Sequence, residues 1–362
     1  MSFKDISLDI TEDEYRNDGA YHYSTLATYE RGGVHSIPTL KDRKESPSLL
    51  FGSLVDTLIT GPEDFDKLYF VADFPDITDV FINVIKGLHN LYSDRPSLND
   101  IEDNIILSVL DEVGYGKSWK AATRVSKLRE AGTEYYRLLH IADNKQIVSS
   151  ATYSDAVLAV NALKEAPATK FLFAEDDNPS IERWYQLKFS GKVNYINSNT
   201  YTVLSHNSWE SYNDNYLPYS CMADLILVLH DKKKVIPVDL KTSSHYEDEF
   251  YQSFIDWNYH IQARLYWHLI RAAMNDSQYK DYTLDDYHFV VVNKKSLTPL
   301  VWKFEDTQSM DTLYYGKNKQ IEMRHPFVIG KELHNYFQTG ILIDKDVLID
   351  KPNSLTFKLN QL

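Results

Sequence analysis

Residues 222–229 and 235–240 are two runs rich in branched apolar side chains, separated by the polar turn 230–234. Runs of that length joined by so short a turn read as a β-hairpin from the interior of a sheet. Each run nevertheless carries a carboxylate, Asp224 in the first and Asp239 in the second, and Lys241 follows two residues after Asp239. Positions i and i+2 of a strand share a face, so Asp239 and Lys241 point the same way. Charge in so apolar a run is costly to desolvate unless something compensates it. Two carboxylates flanking a divalent cation, with a lysine beside them, are such a compensation.

The rest of the chain has the material to bury this hairpin. It has 362 residues, of which 43% are hydrophobic and 13% aromatic, enough for a substantial core and incompatible with disorder. A formal net charge of −14 argues against broad polyanion binding, but not against a local basic groove or a metal that reverses the sign where it matters. With Cys221 as its single cysteine, the chain has no intrachain disulfide, Cys-rich zinc site or four-cysteine cluster. Its first residues lack the apolar core of a signal peptide, and no apolar run approaches the roughly 18 residues of a membrane span. A soluble, cytoplasmic protein is expected, without a membrane partner.

Periodicity divides the chain. In residues 1–45, 17–19 and 32–33 mark turns, and a short helix with Ser24 as N-cap would place Leu26 and Tyr29 on one side. Residues 47–60 form an apolar-periodic helix stopped by Gly61-Pro62, with Gly52 and Asp56 four apart on a shared face. Gly52 leaves room for another backbone to approach. Helical periodicity dominates 64–176, notably at 81–91, 100–113 and 154–163. Within that stretch Lys117, Lys120, Arg124 and Lys127 recur at three- and four-residue steps. They form either a solvated helix face or a track for DNA phosphates. Gly116-Lys117-Ser118 is no phosphate loop, since the glycine required five residues earlier is Asp111. From Ile181 the period becomes two, giving strands at 184–189, 201–204, 222–229 and 235–240, with 194–220 as a decorated connection. A helical block at 248–274 and strands at 287–293 and 299–304 follow. The expected organisation is one α/β domain: a mainly helical part over 1–176, a sheet with its helix over 177–305, and a C-terminal extension over 306–362.

The helical block holds a second signal. Tyr259, Gln262 and Tyr266 stand at i, i+3 and i+7, roughly on one face, with Gln262 set among Ile261, Ala263, Leu265 and Leu269. Asp224, then Asp239-Leu240-Lys241, then Gln262-Ala-Arg-Leu-Tyr266 resembles the core of the PD-(D/E)XK nucleases. The variant is the one with an added Q-x-x-x-Y motif, found in RecB-type nuclease domains and phage exonucleases, and is similar to the RecE (exonuclease VIII) type of phage and prophage recombination exonuclease. Tyr21-His-Tyr-Ser24, Gly52-Ser-Leu-Val-Asp56 before Gly61-Pro62-Glu63, and Val290-Val-Val-Asn293 fall in the order of similar segments in that family. The likeness spans roughly residues 18–305.

The resemblance implies a restriction-endonuclease-like core, a central mixed sheet flanked by helices, with a helical N-terminal region. It implies that Asp224, Asp239 and the carbonyl of Leu240 hold Mg²⁺ or Mn²⁺ through hard oxygen ligands. Lys241 would orient the attacking water or stabilise charge on phosphorus, and Gln262 and Tyr266 would position the DNA end or the metal-bound water. Glu182 is the candidate for the upstream glutamate that often joins such sites. Asp56 stands where many relatives carry a histidine, and aspartate also ligates a hard cation. The basic residue often found before the first aspartate is replaced by Cys221-Met-Ala. His206, His245, His260 and His268 show no ligand spacing. The implied activity is resection of linear double-stranded DNA from a free end, with a homo-oligomeric ring and a single-strand annealing protein as partners. An endonuclease on branched or foreign DNA, and a non-catalytic protein on the same scaffold, are the alternatives.

Overall fold

The computed structural model describes residues 1–340 except 41, 43–45, 76, 176–177, 198–199, 207–215, 310–312 and 316–320. The extension beyond 340 and much of the expected connection at 194–220 therefore lie outside the described residues. The chain divides into two compact units, one of residues 1–52 and 161–362, the other of 53–160. Both divisions fall inside helices, at Gly52 within Pro47–Thr60 and at Asn161 within Ser150–Glu165.

The larger unit opens with α1 (Phe3–Ile6), α2 (Glu12–Arg16) and α3 (Tyr23–Gly32), and holds the start of α4 (Pro47–Thr60). The first two are closed by capping boxes, Ser2 with Asp5 and Thr11 with Glu14. Helix α3 starts two residues earlier than a Ser24 cap requires, with His22 at its N-cap and no side-chain cap. The cause is the preceding backbone: Tyr21 N–H donates to Pro218 O, and Tyr21 O accepts from Ser220 N–H. Extended pairing thus ends at Tyr21, and the helix follows at once, burying Leu26, Ala27 and Tyr29.

The smaller unit is mainly helical. Beyond α4 it contains α5 (Phe65–Leu68), α6 (Asp79–Leu91), α7 (Asp103–Glu112), α8 (Ala121–Ala142) and most of α9 (Ser150–Glu165). Its two short strands, β1 (Tyr69–Val71) and β2 (Gln146–Val148), pair in parallel. Leu88, Leu98, Ile106, Leu110 and Leu128 are among the fully buried residues of its core.

The larger unit is built on a mixed sheet flanked by helices. Its strands are β3 (Ile181–Asn197), β4 (Thr200–Ser205), β5 (Tyr216–Leu229), β6 (Lys234–Ser243), β7 (Thr283–Leu284), β8 (Tyr287–Asn293) and β9 (Leu300–Phe304). The spatial order is β4-β3-β5-β6-β8-β9, with β7 beside β6. Strands β6 and β8 run parallel and the β5–β6 hairpin is antiparallel, as its two apolar runs demand. Strands β3 and β5 are longer than the apolar runs alone suggest and pair from Ile181↔Leu229 to Asn194↔Tyr216. Their outer halves alternate, with Leu187, Phe189 and Val193 buried and polar residues between them, the pattern of an antiparallel sheet with one wetter face. The helical block resolves into α10 (Phe250–Asp256) and α11 (Tyr259–Asn275). Helix α11 lays Ile261, Leu265, Leu269 and Ile270 into the core that also takes Phe189, Phe289 and Val291 from the sheet. A two-stranded ribbon, β10 (Leu313–Tyr315) with β11 (Ile321–Met323), and α12 (Pro326–Thr339) complete the described chain.

The ends of β6 and β8 are tied together by buried polar groups. Asn293 Nδ2 donates to the carbonyls of Ser243 and His245, at 3.1 and 3.0 Å. Glu247, 2% exposed, accepts from the backbone N–H groups of Asn293 and Thr298 and from the hydroxyls of Ser296 and Thr298. Burial works against its charge, yet these donors outweigh it and hold the carboxyl below its ordinary value. Replacing Glu247 by Ala strands buried N–H donors, and is expected to cost roughly 2–3 kcal/mol in a denaturant titration at neutral pH. Because the folded value is the lower one, Glu247 contributes in full above about pH 4.5, and its contribution fades as pH falls below that.

Candidate active site

The β5–β6 hairpin brings the two aspartates together. Leu225 pairs with Val238 and Ile226 with Pro237, so the next step of the same frame sets Asp224 opposite Asp239. Oδ2 of Asp224 accepts the Leu240 N–H at 2.9 Å, which fixes one carboxylate against the strand bearing the other. Asp239 is 1% exposed. Its two oxygens have different partners: Lys241 Nζ lies 2.5 Å from Oδ2, and Gln262 Nε2 donates to Oδ1 at 2.5 Å. The contact with Gln262 joins the helix motif to the strand motif across 23 residues of chain.

Electrostatics fix the charge state of the lysine. Burial disfavours the Lys241 ammonium, but Asp239 foremost, with Tyr259, Asp224 and Tyr23, outweighs that and holds its pKa well above the ordinary lysine value. Its Nζ also sits 4.8 Å from the centre of the Tyr259 ring, a cation–π contact. Tyr266 is almost fully buried, and burial together with Tyr15, Cys221, Asp239 and Asp224 raises its hydroxyl well above the ordinary value. It remains a neutral phenol at physiological pH.

Two atoms beside the carboxylates have unmet bonding capacity. Gln262 Oε1 and Tyr287 Oη are buried with no hydrogen-bond partner among the described residues. The Tyr287 hydroxyl is raised by burial first, then by Asp239, Tyr266 and Asp224, which places it in the field of the same acidic pair. Buried polar atoms in folded proteins are normally satisfied by protein or by bound water. Tyr287 carried no sequence signal, since a tyrosine opening a buried strand reads as packing.

The strand opposite Asp224 has its own irregularity. Tyr185 pairs with Leu225 and Leu187 with Ala223, so Gln186 stands across from Asp224, with φ of 52° in the left-handed region. Core-facing residues on β5 change from odd to even between Ala223 and Ile226. The face turned to the core therefore changes at the aspartate, while the β3–β5 register continues unshifted. Periodicity over a whole strand hides a one-residue change of face.

Glu182 stands away from the acidic pair along its strand. Glu182 pairs with Val228, four residues along β3 from the position facing Asp224, so the two are separated by roughly 13 Å of strand. Its carboxylate is taken by Trp184 Nε1 and His230 Nε2, each at 2.8 Å, and by the Tyr279 hydroxyl. Burial opposes its charge, but these bonds hold the carboxyl below its ordinary value. Glu182 thus closes the turn end of the hairpin and does not join the aspartates. Gly52 serves a close approach as expected, but to a side chain: a Cβ there would stand 3.0 Å from Thr242 Oγ1 on β6. Asp56, one turn further along α4, is half-buried and belongs to the smaller unit.

The four basic residues do not share one helix face. Gly114 and Gly116, both at positive φ, follow α7, and α8 opens only at Ala121, so Lys117 and Lys120 precede the helix. Arg124 is buried and paired with Asp111 at 2.7 Å. Lys127 lies over the Trp119 ring at 4.1 Å. Among the histidines without ligand spacing, His260 is buried and His268 half-buried on α11, where desolvation first and Arg264 second lower them to about 3 and about 4.

No protein-family model and no curated protein matches this sequence. Among the described residues no helix is long and apolar enough to cross a membrane, and no group of three or more His, Cys, Asp or Glu residues is placed to hold a metal.

The Asp239–Lys241 pair sets an expectation for stability. Lys241→Ala leaves a buried carboxylate without its counter-charge and is expected to destabilise by about 3–5 kcal/mol, whereas Asp239→Asn combined with Lys241→Met recovers most of the loss. The raised lysine value means its contribution is complete below about pH 10 and fades above that. Denaturant titrations of Lys241→Ala between roughly pH 6 and 9 should therefore show a constant deficit.

Proposed function

We propose that this protein is a metal-dependent deoxyribonuclease built on a PD-(D/E)XK core of the RecE type, resecting linear double-stranded DNA. The observation that carries the reading is the convergence on Asp239: Asp224 from the neighbouring strand, Lys241 from its own, and Gln262 from the following helix. A hairpin needs none of these polar groups to pack, and each is costly to bury.

The residues present fit a hard divalent cation. Asp224, Asp239 and the carbonyl of Leu240 would hold Mg²⁺ or Mn²⁺, with water and substrate phosphate completing the oxygen shell. Three acidic or histidine ligands are not needed for such a site, since Mg²⁺ commonly takes one or two carboxylates and keeps its waters. The unmet Gln262 Oε1 and Tyr287 Oη are suited to receive and orient water beside it. When bound, the cation polarises the scissile phosphate and acidifies an attacking water.

The chain's own groups then have distinct tasks. Lys241 stays protonated over any practical assay range, so it acts as a fixed positive charge for the pentacovalent phosphorus and not as a base. Gln262 fixes the Asp239 carboxylate with its amide N–H and leaves its carbonyl to hold water. Tyr266, a neutral phenol bonded to Tyr15 and in the field of both aspartates, would be a hydrogen-bond donor there.

The test is digestion of linear duplex against a covalently closed plasmid in Mg²⁺ or Mn²⁺. Linear DNA is expected to disappear while closed circles persist, and Asp239→Ala and Lys241→Ala are each expected to lose at least about 10²-fold in rate. Linear DNA left intact with both metals, or variants that cut as fast as wild type, would refute the assignment. Opening of the closed plasmid would make the enzyme an endonuclease.

A further inference from the structure

We propose that Trp257 and Arg31 form a stacking platform for a single-stranded DNA segment next to the Asp239–Lys241 site; this rests on the deoxyribonuclease reading. Trp257 occupies the corner between α10 and α11, followed by Asn258 with φ of 54°. It is 52% exposed, so much of its indole surface is open to solvent although it is the largest side-chain type. The corner is held in place from α3. Tyr23 Oη donates to the Trp257 carbonyl at 2.8 Å, and Arg31 Nη1 donates to the same oxygen at 3.1 Å.

Arg31 also lies over the indole, with its guanidinium carbon 5.2 Å from the ring centre. Its only other hydrogen bond among the described residues is from Nη2 to Thr28 Oγ1, at 3.4 Å, and it makes no ion pair there. A guanidinium has five donors, so charge and donors remain for an anion. No carboxylate among the described residues pairs with it, so in a chain of net charge −14 its positive charge stays available to an anion. An open aromatic face next to an unneutralised cation is what unpaired nucleotides use, a base on the ring and a phosphate on the guanidinium.

The platform is continuous with the candidate active site. Tyr23 and Tyr259 pack with ring centres 6.0 Å apart, and the Tyr259 ring lies under Lys241 Nζ. Two rings thus separate the lysine from the corner carrying Trp257. A strand leaving the scissile phosphate along this row meets the exposed indole next.

The experiment is equilibrium binding of the full chain to a single strand carrying 2-aminopurine, with chelator present so that nothing is cut. Reporting from the DNA avoids the other five of the chain's six tryptophans. Trp257→Ala is expected to weaken binding roughly five- to 100-fold, and Trp257→Phe, which keeps a ring, only about twofold. Arg31→Gln should lower the slope of log K against log salt by about one. On an abasic strand of equal length the Trp257→Ala deficit should vanish, while the Arg31→Gln effect persists. The proposal is overturned if Trp257→Ala binds the base-bearing strand within about twofold of wild type, or loses as much on the abasic one. It is also overturned if Arg31→Gln leaves the salt slope unchanged, or if the wild-type protein binds no single strand. Because cleavage is not the readout, a protein that cuts nothing but shows the Trp257 deficit keeps the platform and loses the nuclease assignment. Normal cutting with normal Trp257→Ala binding does the reverse.

Discussion

The buried carboxylate of Asp239 is the constraint to which the rest of the larger unit answers. A charge that is 1% exposed survives only with its full complement of partners, and each partner comes from a different piece of structure. Lys241 lies two residues along the same strand, Gln262 comes from α11, and Asp224 arrives through the hairpin partner. Strand register, helix position and hairpin pairing are thereby coupled. A slip of one residue in β6 would turn both Asp239 and Lys241 to the other face of the sheet.

The surrounding scaffold can be understood as holding that coupling. Asn293 and Glu247 fasten the ends of β6 and β8 just beyond Lys241, using backbone groups that would otherwise be orphaned at a strand end. Gln186, at positive φ, stands opposite Asp224 where the buried face of the strand pair changes. Tyr15, Tyr23, Tyr259, Tyr266 and Tyr287 surround the charged groups with rings whose hydroxyls stay neutral. Such a wall lowers the local dielectric, strengthening both the Asp239–Lys241 attraction and any field on a bound phosphate.

What could be read from sequence was whatever depended on short-range periodicity. Asp224, Asp239 and Lys241 stood out because they interrupt apolar strands, and Gln262 because it interrupts an apolar helix face. Gln262 is found on Asp239, as the resemblance to the nuclease core implied, and the hairpin and the helix that follows it are found as their periodicities implied. Glu182 was misplaced because a strand-borne glutamate gives no sign of how far along the strand it lies from a partner. His230 and Tyr279, which claim it, are 48 and 97 residues away. The basic stripe failed as a helix face because α8 opens only at Ala121, so Lys117 and Lys120 lie outside the helical period that their spacing assumes. Tyr287, Gln186 and the Trp257–Arg31 pair were invisible for one shared reason. Unmet hydrogen bonding, a reversed φ and an exposed ring are properties of the packed chain, with no compositional mark.

The central claim is that the acidic pair is a cation site and not merely a buried salt bridge. Calorimetric titration of the metal-free protein with Mn²⁺ tests it most directly, without DNA and without turnover. Saturable binding is predicted for the wild-type chain, weakened at least about tenfold in Asp224→Asn and in Asp239→Asn, each of which removes one hard ligand. Absence of Mn²⁺ binding in the wild-type protein, or binding unchanged by both substitutions, would contradict the account.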